Sequence, residues 1–426
     1  MTMMTESARH HLAAPAELAA RGWLARLVLP PGVDAGALPL LIGRALRGFC
    51  DGFIAVLLPA YLLGLGLAQL AVGLISSATL IGSALATVLV GLLGNRVPQR
   101  RLLILAAVLM AATGASFAGL SSLWPLLIVA FVGTLNPSSG DVSVFLPLEQ
   151  ARLAELATPD TRTALFARYS MIGALSAAIG ALASALPAWL AAHLGLSFLA
   201  AMRVMFIVYA LTGIALWALY VRLPQPHPHA TSTTTPLGPS RRIVVRLAML
   251  FSVDAFAGGL VVNALLSLWL MQRFGLSLGA AGQFFFWAGL LTTASQLAAA
   301  PLASKIGLLN TMVFTHIPSS LCLIAAAFAP SLALTLTLLL ARSALSQMDV
   351  PTRTAYVMSV VTPPERTAAA SLTSVPRSLA AAISPTLAGA MMGMGWLGIP
   401  LITCGVLKIA YDLAILRAFG RVKPLT

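Results

Sequence analysis

Carboxylates within apolar segments are the residues of this chain with the clearest capacity for chemistry. The chain has 426 residues and only twelve Asp and Glu. Because an ionisable group inside a membrane span costs a few kcal/mol, it normally faces a cavity, a partner or an ion path. Burial also favours the protonated form of a carboxyl group, so Asp51 and Asp254 are candidates for proton coupling. The carboxylates that interrupt long apolar segments are Asp51, Asp141, Glu149, Asp254 and Asp349.

An internal repeat places opposite charges at equivalent positions. Segments 146–164 and 350–368 align without a gap, and Glu149 falls opposite Arg353. Each of the two lies nine residues before the Thr-Pro near the end of its segment, which is about 13 Å along a helix. Our hypothesis is that Glu149 and Arg353 form and release an ion pair across a cavity. The alternative is that each pairs within its own half, for instance Glu149 with Arg152.

Arginines in other apolar segments offer a second kind of chemistry, the binding of an anion. Arg377 lies well inside one such segment, and Arg168 lies near the end of another. Both could bind an anionic substrate. Arg168 could instead extend its guanidinium to the membrane surface, as long basic side chains near span ends do.

Structural roles compete with chemical roles for several of these groups. Arg47 precedes Asp51 by one helical turn and could neutralise it. Lys408 precedes Asp412 by the same spacing, and this pair is predicted to be structural. His316 is alone in its apolar segment and is expected to be a hydrogen-bonded packing residue.

The elements that position these residues are predicted to be membrane-spanning helices. The chain is 59% hydrophobic and 9% charged, whereas soluble domains carry roughly 25% charged residues. A bilayer core needs about 20 apolar residues per helix. The fourth and tenth spans are too long for one straight crossing and contain polar residues, so both are predicted to line a cavity. We predict twelve spans, at 38–63, 69–94, 101–120, 123–157, 165–190, 196–221, 244–272, 277–299, 307–328, 331–360, 367–393 and 396–418.

The net charge of +14 is a topology signal. Lys and Arg lie mostly in alternate loops between the predicted spans, which is the pattern of the positive-inside rule. Both termini are therefore expected in the cytoplasm, at a bacterial-type inner membrane, and nucleic acid is not an expected partner. Three scattered cysteines exclude a disulfide framework.

The spans divide the chain into regions. Residues 1–37 are predicted to be a cytoplasmic segment, either a short amphipathic helix or a disordered tail. Two six-helix bundles follow at 38–221 and 244–418, joined by a Pro- and Thr-rich linker at 222–243. Residues 419–426 form a cytoplasmic tail.

The loop after the second span carries a family pattern. It reads Gly-Leu-Leu-Gly-Asn-Arg-Val-Pro-Gln-Arg-Arg from Gly91 and resembles the cytoplasmic gate loop of the major facilitator superfamily. Gly91, Arg96 and Arg100 match the pattern, whereas Asn95 stands where the family has Asp. The resemblance implies an all-α membrane fold of two pseudo-symmetric six-helix bundles, with a central cavity lined by spans 1, 4, 7 and 10.

This resemblance implies a secondary active transporter that moves a small solute by alternating access, with protons as coupling ions. Alternatives are a non-transporting receptor or sensor, or a lipid transporter, on the same fold. Symport and antiport both stay open. We find no phosphate-binding loop or hydrolase motif, so we expect no enzyme activity, no cofactor and no metal site. The expected partners are a small-molecule substrate and membrane lipid, and the expected state is a monomer.

Overall fold

The computed structural model describes residues 29–30, 33–93, 97–138, 143–223, 238–362 and 365–420. Within these ranges the chain forms sixteen α-helices and two short 3-10 segments, Ala35–Ala37 and Ala183–Ala185. Most of the N-terminal segment, for which a short helix or a disordered tail was expected, lies outside the described residues. So do most of the linker and most of the C-terminal tail.

The first half of the chain contains eight of these helices. They are α1 Leu38–Gly64, α2 Gln69–Leu93, α3 Gln99–Gly119, α4 Leu123–Val132, α5 Phe145–Leu156, α6 Pro159–Leu182, α7 Leu186–Leu194 and α8 Phe198–Val221. The second half contains α9 Arg241–Gly259, α10 Asn263–Phe274, α11 Leu278–Ile306, α12 Leu308–Phe328, α13 Leu332–Leu345, α14 Asp349–Ser359, α15 Arg366–Gly393 and α16 Ile399–Phe419.

The helices follow the predicted order of membrane spans. Eight helical segments in the described part are long and apolar enough to cross a membrane. The sixteen helices fall into the twelve predicted spans because the fourth, fifth, seventh and tenth are each broken in two. The predicted all-α membrane fold is confirmed.

Two of these breaks lie in the spans that the sequence marked as too long for one straight crossing and as containing polar residues. The fourth span is interrupted between Val132 and Phe145, and the tenth between Leu345 and Asp349. The break in the seventh span, after Gly259, was not predicted. There the amide of Ala264 donates to the carbonyl of Pro137, 3.1 Å away in the fourth span. Two interrupted helices thus satisfy each other's free backbone groups, as buried backbone requires.

One face of the molecule collects the loops nearest the chain ends, and we call it the terminal face. There the amide of Asp34 donates to the Leu156 carbonyl, 3.3 Å away. Arg100 donates to the Val221 carbonyl, and the Gly238 amide donates to Glu365.

The two halves contact each other toward the face opposite the terminal face. α2 packs on α15, α6 on α11, and α1 on α10. Ser77 accepts a hydrogen bond from the Thr386 hydroxyl, 2.8 Å away. Ser184 donates to the Leu278 carbonyl over 2.9 Å, and Ser267 donates to the carbonyl of Val56 over 3.1 Å. These contacts close the molecule at that face.

Glycine allows this closure because it lets two backbones touch. A Cβ on Gly73 would lie 2.3 Å from the carbonyl oxygen of Pro385. Small residues such as Gly73, Ser77 and Gly389 thus mark a close helix crossing.

Candidate functional site

Glu149 on α5 is the centre of a polar cluster in the first half. Its side chain is fully buried and accepts hydrogen bonds from three other helices. Arg47 on α1 donates to Oε2, the Tyr169 hydroxyl on α6 donates to the same oxygen over 2.5 Å, and the Tyr220 hydroxyl on α8 donates to Oε1. A buried carboxylate is tolerated when its lone pairs are satisfied in this way. Glu149 therefore ties four helices together.

Aromatic rings and a glycine shape the surroundings of this cluster. The Arg47 guanidinium lies 4.2 Å from the centre of the Phe145 ring, and that of Arg44 lies 5.2 Å from the centre of the Tyr169 ring. A Cβ on Gly173 would lie 2.1 Å from Nε of Arg44, so a side chain at that position would displace the arginine. The sequence places both arginines on one face of α1, one turn apart.

Asp51 on α1 is more accessible than Glu149. It lies one turn beyond Arg47 on α1 and is partly exposed, whereas Glu149 is fully buried. The Asn136 side chain, at the break in the fourth span, donates to Oδ2 of Asp51 over 3.4 Å. The broken helix therefore reaches the partly exposed carboxylate.

Asp254 on α9 is the centre of a second cluster in the other half. Its Oδ2 accepts from Nη1 of Arg353 on α14 over 3.2 Å. Its Oδ1 accepts from Nζ of Lys408 on α16 over 2.6 Å. Arg353 also donates to Oδ2 of Asp349, one turn earlier, over 3.0 Å. All four side chains are largely buried, so each charge depends on its neighbours.

His316 on α12 extends this cluster. Its Nδ1 lies 3.0 Å from Oδ2 of Asp412, and its Nε2 lies 3.2 Å from Nζ of Lys408. The prediction that His316 is hydrogen-bonded is confirmed, but its partners are charged groups. Lys408 was predicted to pair with Asp412. This prediction was wrong, because Lys408 donates to Asp254 and contacts His316 instead.

Glu149 and Arg353 do not pair with each other in this structure. Each binds oppositely charged groups within its own half, which is the alternative stated in the sequence analysis. The partner suggested for Glu149 was Arg152, but Arg152 donates to Glu155 over 2.5 Å. Arg47, which could have neutralised Asp51, is directed to Glu149.

Arg377 on α15 is a partly exposed arginine inside an apolar span. Its Nε is buried and has no hydrogen-bond partner within the described part of the chain. It is within electrostatic reach of Arg353, Asp254 and Asp349. At 3.6 residues per turn it lies opposite the exposed apolar stripe of α15, formed by Leu372, Leu379 and Ile383. Ser374 lies on the same side as Arg377 and is exposed, which indicates a polar cleft.

The predicted gate loop is described only in part. Gly91 is exposed, and a Cβ there would meet nothing within 4 Å. Arg100 connects the start of α3 to the end of α8 through the Val221 carbonyl. Asn95 and Arg96 lie outside the described residues, and so does Asp141 in the fourth span.

Among the residues that the structure describes, no group of three or more His, Cys, Asp and Glu could hold a metal ion.

The second cluster has side chains that can exchange protons. Carboxylates, an imidazole and an ammonium group in mutual contact can exchange protons and partners. Sequence reasoning missed that Lys408, His316 and Asp412 belong to this cluster. The signal was present, because each is an ionisable residue inside an apolar span.

Comparison with known proteins agrees with this architecture. Residues 40–340 match the sequence profile of the Major Facilitator Superfamily. An uncharacterized membrane protein of Saccharomyces cerevisiae is 22% identical over 410 residues, covering 88% of this chain and 92% of the yeast protein.

Solved structures share the fold at low sequence identity. The nucleoside transporter NupG gives a TM-score of 0.68 at 14% identity, covering 92% of this chain and 100% of the other. A bacterial homolog to the human lysosomal transporter Spinster, in an inward-facing and occupied conformation, gives 0.72 at 15% identity, covering 90% and 97%. A D-xylose-proton symporter gives 0.69 at 16% identity, covering 88% and 95%. The chain is an integral, multi-pass membrane protein of the major facilitator superfamily.

Proposed function

We propose that this protein is a secondary active transporter that moves a small solute by alternating access, coupled to protons. The observation that carries this proposal is the closure of the two halves at one face, combined with charged side chains on the cleft side. Secondary transporters bind substrate between two halves that rock about a central site.

The charge pairs support rocking of the two halves as rigid bodies. The hydrogen bonds of Glu149 join helices of the first half, and those of Asp254 join helices of the second. Separating a buried ion pair costs about 3–5 kcal/mol. A reorientation in which each buried carboxylate keeps a cationic partner within its own half avoids that cost.

Different residues suit different tasks in this transporter. Asp51 and Asp254 are proposed to take part in proton coupling, because each is an ionisable carboxylate at a helix facing the cleft. Arg377 is proposed to bind an anionic group of the substrate, since its Nε has no hydrogen-bond partner among the described residues. Arg353 donates to both Asp254 and Asp349. Through these hydrogen bonds, Arg353 and Asp349 are proposed to link proton coupling at Asp254 to substrate binding.

The membrane setting is part of the proposal. We infer that the terminal face is cytoplasmic and that the protein resides as a monomer in a bacterial-type inner membrane. The distribution of Lys and Arg among the loops supports this orientation. On this topology, the closed face is the extracytoplasmic one, and the cleft opens toward the cytoplasm.

The function can be tested on purified protein before the substrate is identified. A thermal-shift panel containing nucleosides, pentoses and organic anions identifies ligands, since binding to the folded state raises the melting temperature. Nucleosides and xylose belong in the panel because structural neighbours bear those names. Each hit is then tested for uptake into proteoliposomes with and without a pH gradient.

We expect an inward proton gradient to change the rate or the extent of uptake, and Asp51→Asn to weaken this dependence. A ligand that binds without crossing the membrane would establish a receptor or sensor instead. Uptake that ignores the pH gradient would refute proton coupling while leaving transport intact.

A further inference from the structure

The hydrogen bonds of His316 define which ring nitrogen carries a proton. Nδ1 lies 3.1 and 3.0 Å from the two carboxylate oxygens of Asp412. An ionised carboxylate can only accept hydrogen bonds, so Nδ1 is the donor. Asp412 is 1% exposed, which leaves this bond shielded from water. The tautomer is thereby fixed by its surroundings.

The other ring nitrogen faces a donor. Nζ of Lys408 lies 3.2 Å from Nε2, and an ammonium group can only donate. Nε2 therefore offers its lone pair, and the imidazole in this arrangement is neutral. The same ammonium group donates to Oδ1 of Asp254 over 2.6 Å.

A second proton on His316 would break this arrangement. An N–H at Nε2 cannot accept from Lys408, and two cationic donors would then face each other. The acceptor next in reach is Oδ1 of Asp254, 3.8 Å from Nε2, and Lys408 already holds that oxygen. Protonated His316 and Lys408 therefore compete for one atom.

Lys408 is the member of the cluster best placed to move. Its side chain is 14% exposed, compared with 5% for Asp254 and 4% for His316. Gly258 on α9 lies beside it, and a Cβ at Gly258 would be 3.9 Å from Nζ. Because this glycine has no side chain, space remains next to the ammonium group.

Other charged and titratable groups surround the histidine. The Tyr411 ring on α16 packs edge-on against the imidazole, with 6.2 Å between ring centres. Arg353 on α14 holds the other oxygen of Asp254 and also binds Asp349. On α13, the Arg342 carbonyl accepts from Ser319, one turn from His316.

Three carboxylates, Asp254, Asp349 and Asp412, lie in this cluster with the cations Arg353 and Lys408. Arg377 on α15 supplies a third positive charge within electrostatic reach of Asp254 and Asp349. A further positive charge on His316 would repel Lys408, whose Nζ lies 3.2 Å from Nε2.

We propose that Nε2 of His316 binds the coupling proton, and that this proton displaces Lys408 from Asp254. The proton comes from water and adds to the ring lone pair, so only hydrogen bonds are exchanged. Lys408 moves toward the cleft, and the contacts among α9, α12, α14 and α16 change with it. This inference rests on the proposed function and names the proton-binding group within it.

The first test observes the proton directly, by nitrogen NMR of protein labelled with ¹⁵N-histidine, and needs no substrate. His316→Gln identifies the signal, and exposed His193 on α7 serves as an internal reference. We expect the His316 ring to change from one proton to two as the pH is lowered.

Lys408→Met should move the pH at which this change occurs, because it removes the competing donor. Lys305→Met, at an exposed lysine on α11, should leave it in place. A ring that keeps one proton throughout, or an identical titration in Lys408→Met, overturns the proposal.

The second test observes the conformational consequence. Spin labels at Arg101 and Asn310, exposed residues at the terminal-face ends of α3 and α12, report the distance between the halves. The three native cysteines are first replaced by alanine. Acidification should shift the distance distribution in this background and in His193→Gln, but not in His316→Gln. No shift in the background protein, or the same shift in His316→Gln, overturns the proposal.

Failure of this inference is distinguishable from failure of the proposed function. If proteoliposome uptake depends on the pH gradient equally in wild type and His316→Gln, proton-coupled transport stands and His316 is excluded as its proton site. If wild-type uptake ignores the gradient, proton coupling itself fails, whatever the histidine spectrum shows.

Discussion

At the scale of single residues, this chain keeps charge inside an apolar protein by surrounding each carboxylate with donors. Glu149 accepts from a guanidinium and two phenol groups, and Asp254 accepts from a guanidinium and an ammonium group. Desolvating an unpaired charge would cost several kcal/mol. The two clusters differ in their surroundings. Glu149 is fully buried, whereas the Lys408 ammonium group that binds Asp254 also contacts His316.

The partner of Glu149 can be tested with double-mutant cycles. Removing Arg47 by Arg47→Met should destabilise the protein by about 3–5 kcal/mol, since it leaves a buried carboxylate without its cation. The coupling energy between Arg47→Met and Glu149→Gln should reach about 0.5–3 kcal/mol, as for residues in contact. Unfolding in detergent measures these energies.

The matched comparison is the pair Glu149→Gln and Arg353→Met, whose effects should add to within about 0.5 kcal/mol, because the two residues lie in separate clusters. A coupling as large as that of Arg47 with Glu149 would restore the direct pair that the repeat suggested.

Replacing Arg377 is expected to weaken ligand binding without lowering the stability of the protein. Arg377→Gln breaks no hydrogen bond of Nε, so the melting temperature should be unchanged or higher. A charge-assisted hydrogen bond contributes about 1.5–3 kcal/mol, so an anionic ligand found in the panel should bind roughly ten- to a hundredfold more weakly. Titration calorimetry measures this affinity.

Arg353→Gln provides the contrast to Arg377→Gln. It removes the donor shared by Asp254 and Asp349 and should lower the melting temperature. Undiminished affinity for anions in Arg377→Gln would exclude Arg377 from the binding site.

At the scale of elements, the breaks in helices place polar groups where straight helices could not. The interruption of the fourth span brings Asn136 to Asp51, and that of the seventh lets Ala264 bind the Pro137 carbonyl. Loops on the terminal face are held by side chains in a similar way. Glu365, just before α15, accepts from the Thr362 hydroxyl over 2.6 Å and from the Gly238 amide at the end of the linker.

The anchor at Glu365 has a defined pH dependence. Hydrogen bonds from the hydroxyls of Ser240 and Thr362 and from the Gly238 amide lower the pKa of Glu365 to about 2. An unfolded Glu has a pKa of about 4.3. The folded value is the lower one, so the stabilisation is complete above the unfolded pKa and is lost as the pH falls toward about 2.

Glu365→Gln should therefore be less stable than wild type at neutral pH, and the difference should shrink as the pH falls below about 4.3. Trypsin cleavage after Arg241 and Arg242, both exposed at the start of α9, should be faster in the variant at neutral pH. Glu155→Gln, at an exposed position on α5, is the control. Equal cleavage of Glu365→Gln and wild type would contradict the anchoring role.

At the scale of the whole molecule, the halves meet along surfaces of small residues at the face opposite the terminal face. Gly73 and Gly389 let α2 and α15 approach until backbone atoms touch. Serine and threonine hydroxyls add hydrogen bonds at the same surface. Such contacts are close but contain few charges, so they can separate without exposing an unpaired ion.

A methyl group at Gly73 should shift the balance between conformations. The Cβ of Gly73→Ala would lie 2.3 Å from the Pro385 carbonyl oxygen, so the closed arrangement of this structure should be disfavoured. Spin labels on the two halves should then report a larger population of the alternative state. Gly119→Ala, at the end of α3 where a Cβ meets nothing within 4 Å, should behave as wild type. Unchanged distances in Gly73→Ala would show that the α2–α15 contact does not control the closed state.

The sequence by itself determined the fold class, the order of spans and which two spans are too long for one straight crossing. These features follow from hydrophobic length, polar residues inside apolar segments and the placement of Lys and Arg, which are local properties of the chain. The alignment of Glu149 with Arg353 was correct as a repeat but misleading about contact, because equivalence by repeat does not place two residues together.

Only the tertiary structure decided which charges meet. Lys408 lies one turn from Asp412 along its own helix, yet it binds Asp254 and His316 on two other helices. A charged side chain in an apolar interior pairs with the partner that helix packing brings within reach, and spacing along one chain segment does not encode that packing. The contacts at the closed face likewise follow from the tertiary structure, because they depend on how the two folded halves pack against each other.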